Sequence, residues 1–191
     1  MKTPLILTAA AAALALSGCG KSETPAETTT VADRETAPAV AASGTIASNL
    51  AAAPDHKSFA AALQQAGLAE MLSGTGPFTV FAPTDAGFAQ VPPVTRDGWM
   101  RPAQKEVLAG VLEYHVVPGK LTAADLAAKI AEGGGKAVLG TADGQDLTVS
   151  KSGENFLLTS SSGNKATVTQ ADVAQSNGVV HVIDAVLEPK M

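Results

Sequence analysis

The stretch that decides the fold runs from residue 77 to residue 88 and reads Pro77-Phe78-Thr79-Val80-Phe81-Ala82-Pro83-Thr84-Asp85-Ala86-Gly87-Phe88. In its first half the apolar residues Phe78, Val80 and Ala82 occupy every second position, which is the period of a β-strand. Phe81 lies between them and is apolar as well, so both faces of this strand should be covered. The pattern therefore predicts a strand in the middle of the fold.

The second half of the same stretch predicts a helix. Pro83 ends the strand, because proline cannot donate a hydrogen bond to a neighbouring strand. Thr84 or Asp85 can then accept hydrogen bonds from exposed main-chain amides and begin a short helix. That helix would carry Phe88 back toward the interior. Local chemistry thus specifies the change from strand to helix.

Two further stretches have the character of buried strands. One is Tyr114-His115-Val116-Val117-Pro118-Gly119, and the other is Asn177-Gly178-Val179-Val180-His181-Val182-Ile183-Asp184-Ala185-Val186-Leu187. In the second stretch an Asn-Gly turn precedes a β-branched run, which is typical of a hairpin. His181 lies between two valines, where a hydrogen-bonded core histidine is expected in preference to a metal ligand.

Taken together and in this order, the three stretches resemble the fasciclin domain, a fold found in extracellular adhesion proteins and in bacterial secreted proteins. The resemblance covers Thr45 to Pro189 and is carried by Phe78, Phe81, Pro83, Thr84, Asp85 and His181 as structural residues. It implies an α+β fold, in which short strands form a compact β-sandwich or wedge and several short helices pack at one end.

Patterns outside the three stretches predict the other elements. Helices are expected over 45–53, 58–66 and 102–112, and a further helix should be capped by Thr122 with Asp125 three residues later. Short strands are expected over 138–141, 147–150, 156–158, 166–169 and 179–186, separated by glycine-containing turns such as Asp143-Gly144. The length of this region suits one domain.

The amino terminus predicts export and lipidation. Lys2 precedes an apolar run from Leu5 to Leu16 that is too short to span a bilayer, so residues 1–18 are interpreted as a signal peptide. The run ends in Leu16-Ser17-Gly18-Cys19, which looks like a bacterial lipobox. Cys19 is the only cysteine and is the predicted lipidation site. The alternative is an incidental cysteine in an ordinary signal peptide.

Residues 19–44 are predicted to be the lipidated cysteine followed by a disordered spacer, since this segment has almost no large apolar side chain. The acyl chains on Cys19 would make the membrane a partner and hold the domain to the cell envelope. Gly20 follows the cysteine, which implies the outer membrane if the host is Gram-negative. Release to the extracellular space is the other expectation, and the spacer is either a stalk or an inert remnant of export.

Two segments are candidate contact sites. In adhesion proteins of the fasciclin family the motif corresponding to Tyr114-His115 has been linked to integrin recognition, so these residues form a candidate binding motif by resemblance. The alternative is that both side chains satisfy buried polar groups at the start of a strand. Trp99 and Met100 are expected in a surface segment before a helix, either as contact residues or as a hydrophobic staple.

Motifs for catalysis are absent from the sequence. It contains no Gly-x-Ser-x-Gly elbow and no His-Glu-x-x-His, and His56, His115 and His181 are far apart in the chain. Asp143-Gly144-Gln145-Asp146 lacks the spacing of a calcium loop and is interpreted as a turn. We therefore expect no metal, no cofactor and no catalytic residues.

Three functions are compatible with these features. The first is a membrane-anchored interaction module that mediates adhesion to a protein or polysaccharide partner. The second is a periplasmic protein that binds a small ligand in a closed pocket, and the third is a hydrolase with a serine or aspartate beside one histidine. The net charge of −5 argues against nucleic acid as the partner.

Overall fold

The computed structural model describes residues 44–190. The predicted signal peptide, the lipidation site Cys19 and all but the end of the predicted spacer lie outside the described residues. Within residues 44–190, no helix combines the length and the apolar character needed to cross a bilayer.

The described chain contains six α-helices, two short 3₁₀ turns and seven β-strands. The helices are α1 (Ile46–Ala52), α2 (Lys57–Ala66), α3 (Asp85–Gln90), α4 (Pro93–Trp99), α5 (Lys105–Tyr114) and α6 (Ala123–Glu132). The strands are β1 (Phe78–Pro83), β2 (Val116–Pro118), β3 (Lys136–Gly140), β4 (Asp146–Ser152), β5 (Asn155–Thr159), β6 (Lys165–Gln175) and β7 (Gly178–Ile183). This mixture confirms the predicted α+β class.

The strands join in the order β2-β1-β7-β6-β5-β4-β3. All neighbours are antiparallel except β1 and β7, which run parallel with Phe81 beside His181. One hydrogen bond, from the Ala142 amide to the Val116 carbonyl at 2.7 Å, links the chain just beyond β3 to β2 at the opposite edge. The sheet is therefore a nearly closed wedge.

Strand β1 has both faces covered, as the alternation of its side chains predicts. Val80 and Ala82 belong to one apolar core, which they share with α2, α4 and α5. Phe81 points the other way, into a second core with Tyr114, α6 and strands β3 to β6. The neighbouring β7 is buried along its whole length. The β1–β7 pair therefore separates two cores and contributes side chains to each.

The segment between α3 and α5 differs from expectation. Residues predicted to form a surface loop form helix α4, with Pro93 in its first turn. Trp99 is buried in the first core with only 3% of its surface exposed, so its expected surface position is wrong, while Met100 is partly exposed. The stretch is rich in polar residues, and only the packing of the indole shows that it belongs inside.

Helix α5 begins and ends later in the chain than expected. It ends at Tyr114, and His115 is its C-cap, so the pair does not begin a strand as predicted. Strand β6 extends to Gln175 and β7 ends at Ile183. Helix α6 begins as predicted, because the Thr122 hydroxyl accepts from the Asp125 amide and the Asp125 carboxylate accepts from the Thr122 amide.

Replacing Phe81 by alanine should destabilise the domain strongly. Phe81 is fully buried, and its ring stacks on the His181 imidazole with centroids 5.4 Å apart. We expect Phe81→Ala to lower the free energy of unfolding by about 3–5 kcal/mol in urea titrations. Val94→Ala is the control, because Val94 is 85% exposed, and it should change stability by less than about 0.5 kcal/mol. Equal effects of the two changes would contradict the two-core description.

Candidate functional site

The Tyr114-His115 pair lies in the interior of the domain, and neither residue has any exposed surface. The Tyr114 hydroxyl donates to the Asp146 carbonyl at 2.8 Å and accepts from the Ser161 amide at 2.9 Å. It thereby ties the end of α5 to β4 and to the turn after β5. Both hydrogen bonds of the hydroxyl are therefore with main-chain groups of the same domain.

The His115 imidazole joins helix α5 to the segment after β7. Nδ1 donates to the Val111 carbonyl at 2.7 Å, and Nε2 accepts from the Leu187 amide at 3.0 Å. These two bonds require the neutral tautomer that carries its proton on Nδ1. Burial lowers the pKa of His115 from 6.5 to about 4, although the bond to the Val111 carbonyl opposes this shift. The ring is therefore neutral at physiological pH.

His181 joins three parts of the fold. Its Nε2 donates to the Leu121 carbonyl at 2.9 Å, and its Nδ1 accepts from the Asp172 amide at 3.3 Å. Asp172 lies in an irregular part of β6 with a φ of 59°, and its carboxylate accepts from the Ala123 amide at the first turn of α6. Burial lowers the pKa of His181 too, against the bond to Leu121 and the charge of Asp172.

In the turn after β1, two neighbouring residues cap two different helices. The Thr84 hydroxyl accepts from the Gly87 amide and caps α3, whereas the Asp85 carboxylate accepts from the Ser58 amide and caps α2. Burial alone would raise the pKa of Asp85, but the hydrogen bonds from Ser58 hold that pKa below its ordinary value. His56 completes the turn by donating from Nδ1 to the Pro83 carbonyl at 3.0 Å.

The three histidines do not come together. His115 and His181 each bond main-chain groups through both ring nitrogens, and His56 does so through Nδ1. Across residues 44–190, no three side chains of the histidine, cysteine, aspartate or glutamate type are grouped so that they could hold a metal ion. The Asp143-Gly144 turn between β3 and β4 is formed as expected, with Gly144 at a φ of 83°.

The sequence did not indicate a polar cleft, which four separate parts of the chain form. The cleft has a volume of about 530 Å³ and opens to solvent at the end of the sheet where β1 and β7 begin. Its lining consists of Thr45, residues 73–77, Lys120 and residues 175–178. The side chains of Thr75 and Ser176 make no hydrogen bond within the described part of the chain and are exposed. These two hydroxyls are available to a partner.

Asn177 fixes the walls of this cleft. Its Nδ2 donates to the carbonyls of Leu72 and Gly74 at 2.7 and 2.9 Å, and its Oδ1 accepts from the Ile46 amide at 2.9 Å. The sequence indicates Asn177 only as a turn residue. Its role as a cross-link between distant segments is visible only after folding, because the partners are more than a hundred residues away in the chain.

Comparisons with known proteins agree on one family. The family model for the fasciclin domain matches residues 54–189. Protein sll1483 of Synechocystis sp. is 45% identical over 131 residues, which cover 69% of this chain and 66% of that protein. Transforming growth factor-beta-induced protein ig-h3 of Sus scrofa is 38% identical over 68% of this chain and 17% of its own length. This chain therefore spans slightly less than two thirds of the first relative and a small part of the second.

A solved structure shares the fold. It is a FAS1 domain pair from the insect cell adhesion molecule Fasciclin I, and it aligns with a TM-score of 0.66 at 24% identity. The alignment covers 75% of this chain and 50% of that one.

The buried histidines predict a loss of stability in mild acid. The folded-state pKa of His115 lies below the unfolded value, so its stabilising effect is complete above pH 6.5 and is lost as the pH falls toward 4. We expect roughly 2–3 kcal/mol of unfolding free energy to be lost from this group between pH 7 and pH 4.5. Urea titrations across this range should show it.

The matched variant is His115→Gln, which cannot titrate. It should be less stable than the wild type at pH 7, because the Val111 carbonyl and the Leu187 amide lose good partners. Its stability should fall less between pH 7 and pH 4.5, and His181, whose pKa burial also lowers, should contribute to the remaining fall. An unchanged fall in the variant would show that His115 does not titrate in this way.

Proposed function

The chain belongs to the fasciclin domain family, and from this premise we propose that it is an interaction module, tethered to the cell envelope, that attaches cells to a protein or polysaccharide partner. Fasciclin domains occur in cell adhesion proteins, of which the insect molecule with the same fold is one. The domain match covers 54–189, which is nearly all of the described chain. We propose both the adhesion by this chain and its attachment to the cell envelope.

The observation that carries the proposal is the contrast between the interior and the surface. The described residues leave no buried side-chain nitrogen or oxygen without a hydrogen-bond partner, so the interior polar groups are occupied by the fold itself. The open cleft, in contrast, presents the exposed hydroxyls of Thr75 and Ser176, and Lys120 is a further residue of its lining. Such groups suit a hydrated partner with hydroxyl or anionic groups, which a polysaccharide or a polar protein surface provides.

Tethering would add to a weak contact of this kind. Many copies on one surface raise the effective concentration of binding sites and strengthen attachment without any new contact. The lipobox at Cys19 and the polar segment that follows supply the sequence basis for such an array. Two or more acyl chains on one cysteine would suffice for stable anchoring.

Cys19 is expected to carry the lipid. Metabolic labelling with a palmitate analogue should mark the wild-type protein and not Cys19→Ala, because the thiol is the attachment atom. The variant should also leave the membrane fraction after cell lysis. A wild-type protein that takes up no label would contradict the anchored form of the proposal while leaving the interaction module itself open to test.

Attachment of whole cells tests the function directly. Cells that display the wild-type protein should adhere to a matrix surface or to one another better than a deletion strain. Thr75→Arg should reduce this attachment, because the larger side chain occupies the cleft. Val94→Arg is the matched control, since it adds the same charge at an 85% exposed position outside the cleft. Equal attachment by the wild-type and deletion strains across several surfaces would refute the proposal.

A further inference from the structure

The turn between β6 and β7 contains the asparagine with the most reactive neighbour in the chain. Asn177 precedes Gly178, whereas Asn49, Asn155 and Asn164 precede larger residues. A glycine has no side chain to shield its main-chain nitrogen, so that nitrogen can approach the side chain of the preceding residue. For this reason an asparagine followed by glycine loses its side-chain amide faster in an unstructured peptide than an asparagine before any larger residue.

Deamidation at this pair consumes only water. The main-chain nitrogen of Gly178 bonds to the side-chain carbonyl carbon of Asn177 and gives up its proton, and the side-chain amide nitrogen leaves as ammonia. Water then opens the resulting cyclic imide at one of its carbonyl groups. The product is either aspartate or isoaspartate, in which the main chain runs through the former side chain. Atoms and protons therefore balance without an oxidant or a cofactor.

The fold requires both members of this pair. A Cβ atom on Gly178 would collide with the carbonyl oxygen of Phe78, because β1 and β7 approach closely at their first residues. The Asn177 amide bonds through both of its ends. Its Nδ2 donates to two carbonyls of the 71–74 turn, which is the 3₁₀ turn Met71–Ser73 with its C-cap, and its Oδ1 accepts from α1 at the Ile46 amide. An aspartate at this position would offer no donor to the turn.

The same contacts restrain the reacting atoms in the folded domain. Closure of the imide ring needs freedom both of the Asn177 side chain and of the peptide bond that follows it. Three hydrogen bonds hold the side chain. The main chain of Gly178 is held as well, because it pairs with Gln175 of β6 and with Phe78 of β1. The reaction therefore has to wait until this part of the domain opens.

We propose that Asn177 is a spontaneous deamidation site that the folded domain keeps closed, and that it becomes reactive when α1 and the 71–74 turn move away from it. These two elements are short and peripheral: α1 has seven residues, and Gly74 in the turn is exposed. Strands β6 and β7, in contrast, lie in the middle of the sheet. Peripheral elements open at a lower free energy than central strands. This inference does not depend on the proposed adhesive function.

Deamidation would make such an opening permanent. Aspartate places a carboxylate oxygen where Asn177 has its Nδ2 donor, so that two acceptors face each other at the carbonyls of Leu72 and Gly74. Isoaspartate also lengthens the main chain between β6 and β7 by one carbon, which displaces β7 from its register with β1. Because Asn177 fixes the walls of the cleft, either product removes the native form of the cleft.

Incubation of the full chain, purified in detergent, tests the protection by the fold. In mildly alkaline buffer, peptide mass spectrometry should find Asn177 converted at least about tenfold faster in concentrated guanidinium chloride than in the native state, because only the open state reacts. Asn155 is the internal control, since it is exposed and precedes a bulky phenylalanine, and its conversion should be slow in both conditions. Equal rates for Asn177 in the two conditions would overturn the proposal.

Two matched variants identify the element that acts as the gate. Leu50→Ala removes a buried side chain by which α1 packs in the first core, and Leu147→Ala removes an equally buried one from β4 in the second core. In native buffer Leu50→Ala should raise the conversion rate of Asn177 at least about tenfold above wild type, because it weakens the packing of α1. Leu147→Ala should raise the rate far less, although denaturant titrations should show a comparable loss of global stability. Equal acceleration by the two variants would overturn the α1 gate.

A milder pair of variants decides the same point if Leu50→Ala does not fold. Ala51→Gly lowers the helix propensity of α1 at an exposed position without a change in the core, and Ala61→Gly does the same in α2. Ala51→Gly should raise the conversion rate of Asn177 about threefold, and Ala61→Gly should leave it near the wild-type value. No acceleration by Ala51→Gly, or the same acceleration by both variants, would contradict the gate.

Refolding tests whether the change is permanent. Chains held in denaturant until Asn177 has deamidated should, after refolding, unfold at a lower denaturant concentration than chains that were denatured only briefly. Asn177→Asp should reproduce the loss caused by the aspartate product. Asn155→Asp is the control, because it makes the same chemical change at an exposed position and should leave the midpoint unchanged. Recovery of the original midpoint by the deamidated chains would overturn the permanent loss.

Discussion

The parallel pairing of β1 with β7 is the constraint on which the rest of the structure depends. The two strands are about a hundred residues apart in the chain, and everything between them must form a connection that returns β7 to the side of β1. Their side chains are buried on both faces, so one pair of strands divides the interior into two cores. Because β1 contributes to both, a change in Phe81 or Val80 affects packing on one whole side of the domain.

Buried polar side chains hold the elements around this pair in place. His115, His181 and Asn177 each bond main-chain atoms of segments that are far away in sequence, and Tyr114 does the same between α5 and β4. Each such group has a high desolvation cost if a partner is lost, so together these bonds favour one arrangement of the loops. The same bonds make neutral histidine a requirement of the folded state, since a proton added to His115 or His181 removes an acceptor.

The buried polar residues hold the fold together, and different, exposed residues are available to a partner. A tyrosine-histidine pair that resembles a recognition motif is occupied by internal hydrogen bonds, whereas the hydroxyls of Thr75 and Ser176 are open to solvent in the cleft at the start of β1 and β7.

The sequence by itself determined the class of fold, the central strand, the capping of α3 and α6 and most turns, because these depend on side-chain period and on contacts within a few residues. It predicted the α4 region and the end of α5 wrongly, since Trp99 and Tyr114 are placed by packing against distant segments. Only the tertiary structure decided which main-chain groups the buried polar residues bond: Asn177 and His115 form hydrogen bonds across the fold that no local pattern encodes. For the same reason the cleft could not be predicted from the sequence, because the segments that line it come together only when the chain folds.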